Sequence, residues 1–70
     1  MIKGLNDKIL SFIETFIKTH GYSPSIRDIK IGLKISSTSV VDYHLKKLKE
    51  LEFINYTHNI ARSIVIIKTI

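Results

Sequence analysis

Hydroxyls, a carboxylate and a phenol crowd into one short stretch, Ser37-Thr38-Ser39-Val40-Val41-Asp42-Tyr43, and lysines follow at positions 46, 47 and 49. Such side chains donate to and accept from base edges, and ammonium groups beyond them neutralise phosphates. On a helix, Val41, Leu45 and Leu48 fall on one apolar stripe, whereas Ser39, Asp42, Tyr43 and Lys46 fall opposite. One face packs and the other is free to read, which suits a DNA major groove: base-edge contacts from the first turns, phosphate contacts from Lys46 and Lys47. A lysine run is as readily a plain solvated face.

Further candidates lie outside that stretch. Arg27, near the start of a preceding helix, is either a solvated charge or a phosphate clamp. His58, Asn59 and Arg62 fall in a polar-to-basic turn between two β-branched runs, with Arg62 the leading candidate for a phosphate or minor-groove contact. His44, beside the stripe residue Leu45, either packs at the helix boundary or meets phosphate. His20, His44 and His58 have no carboxylate or thiol at ligand spacing, so no metal is expected. No carboxylate pair, Ser-His-Asp set or glycine-rich phosphate loop is present, and neither catalysis nor a cofactor is expected.

The elements that must position these residues carry their own punctuation. Asn6 or Asp7 can cap a first helix, striped by Ile9, Leu10, Ile13, Phe16 and Ile17, that stops at Gly21. Ser25-Ile26-Arg27-Asp28 has the form of a capping box, with Pro24 holding Ser23 out of helical space, and predicts a second helix over about Ile26 to Leu33. Gly32 weakens that helix after two turns, and Ser36-Ser37-Thr38-Ser39 caps a third over about Ser37 to Leu51. The runs Phe53 to Tyr56 and Ser63 to Ile67 read as strands joined by Thr57 to Arg62. The expected fold is mainly α with a small β-hairpin: a helix-turn-helix of three helices followed by a two-stranded antiparallel wing, in one domain over residues 1–70.

Seventy residues bury only about 60% of their unfolded surface. With no cysteine, the core must be hydrocarbon, for which 44% apolar residues suffice. A net charge of +5 points to a polyanionic partner. No apolar run approaches the roughly 20 residues of a membrane span, and the opening residues are too polar for a signal peptide. A cytoplasmic, nucleoid-associated protein is expected.

Taken jointly, Gly21-Tyr22-Ser23-Pro24-Ser25-Ile26-Arg27-Asp28-Ile29, Ser37-Thr38-Ser39-Val40-Val41, His44-Leu45-x-x-Leu48 and Arg62-Ser63-Ile64 resemble the DNA-binding domain of LexA-type SOS repressors over nearly the whole chain. The resemblance implies a winged helix that represses transcription, with the third helix in the major groove, the wing on the backbone, and Ser37, Ser39, Val40, Asp42 and Tyr43 at the bases. It also implies glycine at two turns where this chain has Lys34 and Glu52. If those turns keep positive φ, each residue costs on the order of 1 kcal/mol. The family's self-cleavage domain has no counterpart in residues 1–70, so no autoproteolysis is expected; the chain is either an excised domain or a stand-alone small regulator of the phage or mobile-element type. Pairing on half-sites about 34 Å or its multiples apart would raise affinity. The tail Ile64 to Ile70 is the candidate homodimer surface, or else a core strand with a loose end. The alternative function is a winged-helix module that grips a host polymerase, nuclease or replication protein.

Overall fold

The computed structural model describes residues 4–68. Helix α1 spans Leu5–His20, α2 Ile26–Gly32 and α3 Thr38–Glu50, followed by strands β1 (Ile54–Asn55) and β2 (Val65–Ile66). The strands pair antiparallel, Ile54 opposite Ile66 and Asn55 opposite Val65. This is the helix-turn-helix with a small wing that the periodicities predicted.

The three helices and the hairpin close over one core. Ile9, Leu10 and Ile13 of α1, Ile29 of α2, and Val41, Leu45 and Leu48 of α3 are buried, with Ile54, Tyr56 and Ile64 from the hairpin sealing one end. Each fully buried aliphatic side chain contributes roughly 1.5–3 kcal/mol. Gly32 permits the close approach of α2 to α1, because a methyl group there would run into the ring of Phe12.

The caps explain where each helix begins and ends. Ser25 Oγ accepts from the Asp28 N–H and Asp28 Oδ2 from the Ser25 N–H, both at 3.1 Å, the expected capping box. Ser37 Oγ accepts from the Val40 N–H at 3.3 Å and starts α3. Gly21, at φ 80, closes α1 with its N–H on the Ile17 carbonyl. At the end of α2, Ile35 N–H reaches the Lys30 carbonyl and Lys34 N–H the Ile31 carbonyl; at the end of α3, Phe53 N–H reaches Leu48 and Glu52 N–H reaches Lys49. Both ends are Schellman motifs, whose left-handed position is ordinarily glycine. Here Lys34 (φ 55) and Glu52 (φ 65) occupy it, so the turns are kept and the chain carries their strain.

Two expectations need correction. Neither Asn6 nor Asp7 caps α1: the helix begins at Leu5 behind Gly4, whose φ of 113 suits only glycine, and no side chain caps it. Asn6 bonds His44 instead. The strands are shorter than their β-branched runs. Tyr56 N–H turns to Asn55 Oδ1 and Thr57 N–H to Ser63 Oγ, each at 2.9 Å, which takes both amides out of the ladder. Positive φ at Asn59 and Arg62 then folds residues 57–62 into a compact turn.

Candidate nucleic-acid interface

Because Val41, Leu45 and Leu48 are wholly buried, the helical period turns Ser39, Tyr43, Lys46 and Lys47 to solvent on the far side of α3. Thr38 is exposed at the first turn. Tyr43 is 57% exposed, and its ring stands edge-on to His44 with centroids 5.1 Å apart. Ser37 and Val40 are half-buried, Ser37 with its hydroxyl engaged as the cap.

Asp42 differs from its neighbours. Its side chain is 26% exposed, Oδ2 lies 3.2 Å from Lys46 Nζ one turn on, and Oδ1 is buried with no hydrogen-bond partner. The residue lies on the flank of α3 rather than on its crest. Burial, with the Asp42 carboxylate next in effect, holds the Tyr56 phenol above its usual 10.0, so it is a neutral wall between α3 and the wing.

The wing stands beside this face. Lys49 Nζ donates to the Tyr56 carbonyl at 3.1 Å and sits 5.1 Å from that ring's centroid, tying the end of α3 to the wing's base. Lys46, Lys49, Glu50, Tyr56 and His58 line an open cleft between helix and wing. A cavity of about 370 Å³ opens between the wing and the starts of α2 and α3, lined by Arg27, Thr38, His58 and Asn59 and floored by Leu45 and Tyr56. Arg27, His58 and Asn59 are exposed there. Arg27, Thr38, His58 and Asn59 thus meet around one cavity and Lys46 joins His58 at the neighbouring cleft, while Ser39, Tyr43 and Lys47 lie exposed on α3. Arg62 is held differently, with Nη1 3.0 Å from Asp28 Oδ2 and 3.0 Å from the Ser23 carbonyl.

A family model for the LexA DNA binding domain matches residues 5–63, and so takes in all three helices, β1 and the turn that follows it. The chain belongs to the LexA DNA-binding domain family. Among its relatives, the LexA repressor of Roseiflexus sp. (strain RS-1) is 52% identical over 58 residues, covering 83% of this chain and 27% of that repressor. The LexA repressor of Herpetosiphon aurantiacus is 48% identical over 60 residues, covering 86% and 28%. That of Clostridium botulinum (strain Hall) is 38% identical over 61 residues, covering 87% and 30%. The chain therefore spans less than a third of the length of these relatives.

Within this LexA-type domain, sequence reasoning named Lys49 only among the lysines that could meet phosphate and missed its tie to Tyr56, and it missed the Asn6–His44 pair. Tyr56 lies beyond the end of α3 and Asn6 is 38 residues from His44, so neither pairing follows from the spacing within one helix or strand. Among the described residues no helix is long and apolar enough to cross a membrane.

Proposed function

We propose that this chain binds double-stranded DNA in a sequence-specific way and serves as a transcriptional repressor, with α3 in the major groove and residues 57–62 along the backbone. The observation that carries this is the exposed sequence of groups down α3: Thr38, Ser39 and Tyr43 at its start, Lys46 and Lys47 beyond, with the wing alongside. Thr38, Ser39 and Tyr43 read base edges. Ser37 and Val40 set the start of the helix against the groove, and Asp42 accepts a base donor only by releasing Lys46. Arg27, Lys46, Lys47, His58 and Asn59 meet phosphates. The action is binding without catalysis, in the cytoplasm on the nucleoid.

A homodimer on paired half-sites fits the C-terminal strand, where Ile64 points inward while Val65 and Ile67 are 56% and 57% exposed. The part of that candidate surface at residues 69–70 lies outside the described residues.

Selection of bound sites from a random duplex pool, then titration of the winner against scrambled duplex at two salt concentrations, tests the proposal. A palindrome bound at least about 10³-fold more tightly than scrambled DNA is the expected outcome. Sequence-blind binding that disappears at physiological salt would overturn it and favour a protein partner for the same face.

A further inference from the structure

One side chain fastens the wing to the second helix. Arg62 closes the wing, and its Nη1 donates both to Asp28 Oδ2 and to the Ser23 carbonyl at 3.0 Å, while its guanidinium carbon lies 4.9 Å from the centroid of the Tyr22 ring. Asp28 Oδ2 also accepts from the Ser25 N–H, so the cation is joined to the cap of α2 itself. Next to it, Ser23 Oγ accepts from the Ile64 N–H at 3.2 Å, a second stitch between the same two segments. The Arg62 backbone is left-handed, at φ 58, a conformation that costs an L-residue about 1 kcal/mol and is kept only where its contacts hold it.

We propose that Arg62 is a positioning residue that pins the wing to the start of α2, with Asp28 as its required counterpart, and that it is not a phosphate ligand. Its carboxylate, carbonyl and aromatic partners all come from the protein, and the first two engage Nη1 and direct it towards α2. The proposal rests on the DNA-binding reading and makes an unusual demand of it. Removing an acid from a basic DNA-binding surface ordinarily strengthens binding by lessening repulsion of phosphate. Asp28→Asn should weaken it here, because the wing loses its anchor, although the amide oxygen of the substituted side chain can still accept from the Ser25 N–H.

The test compares the full chain with Asp28→Asn, Arg62→Gln, the double variant and Arg27→Gln, each titrated with the selected duplex over a series of salt concentrations. Asp28→Asn and Arg62→Gln should each weaken binding by about tenfold with the salt slope unchanged, and the double variant should be no weaker than either single one. Arg27→Gln, removing a phosphate contact, should lower the slope by about 0.9. The proposal is overturned if Arg62→Gln lowers the slope by that amount and Asp28→Asn binds as tightly as the parent. Amide hydrogen exchange of the free protein supplies a readout without DNA. Exchange across residues 57–62 should quicken by about tenfold in both variants while Ile13 stays protected. Unchanged exchange there overturns the pin even if the DNA titrations follow expectation. Failure of the parent to bind any duplex removes the DNA-binding reading and leaves the exchange result to decide the pin.

Discussion

Nδ1 of His44, midway along α3, is hydrogen-bonded to the side-chain oxygen of Asn6 in the first turn of α1. An amide oxygen only accepts, so Nδ1 carries the proton and the ring is fixed in orientation between α1 and the Tyr43 ring. The amide that local spacing offers as a cap is thereby used to align the helix that carries the candidate interface.

Asn6→Ala should lower stability by about 1 kcal/mol, which is roughly 4–8 °C in Tm for a domain of this size. Thermal unfolding followed by circular dichroism measures it. The loss should shrink towards zero when Asn6→Ala is made in a His44→Ala background; a full loss there would mean that the pair is not its source.

Lys34→Gly and Glu52→Gly should each stabilise the fold by about 1 kcal/mol, against the usual cost of glycine, because both positions are left-handed. Urea midpoints decide the matter. A lower midpoint for either variant would show that its side chain has a compensating contact.

Gly32→Ala should destabilise by about 1–2 kcal/mol, since displacing the Phe12 ring outweighs the gain of up to about 1 kcal/mol that alanine brings to a helix. In a Phe12→Ala background the same change should become neutral or stabilising. Denaturant unfolding of the four proteins completes the cycle, and equal losses in both backgrounds would rule out the clash.

The Ser25 amide first, and the Arg62 ion pair with it, hold the Asp28 carboxyl below its usual 3.8. A carboxylate whose folded pKa is depressed adds stability above its unfolded pKa and loses it as pH falls through the folded value. The parent should therefore exceed Asp28→Asn in Tm at neutral pH, and the gap should close as pH drops below 3.8. Melting curves over a pH series check this; a gap that persists at the acid end would assign the difference to something other than ionisation.

The sequence shows most plainly what is local. Ser25 and Asp28 stand at capping distance in the chain and do cap, Gly21 stops α1, and the spacing of Val41, Leu45 and Leu48 settles which face of α3 is inside. Once the inside is known, the exposure of Ser39, Tyr43, Lys46 and Lys47 follows from the helical period. Partners drawn from distant segments are not legible in this way. Arg62 looks like a free cation until folding brings Asp28 and Ser23 to it. The β-branched runs overstate the strands because β-propensity says nothing of Asn55 and Ser63, whose side chains take the Tyr56 and Thr57 amides away from the sheet.

The wing's ladder has only two residue pairs, and a two-stranded ribbon of that length has little stability of its own in water. Its position therefore rests on a few side-chain contacts, whereas the helical core closes on its own around Ile9, Ile13 and Leu45. Small changes at those contacts should alter how often the wing is found closed long before they alter whether the protein is folded, so that affinity for a partner can be tuned through occupancy, with every contacting residue left in place.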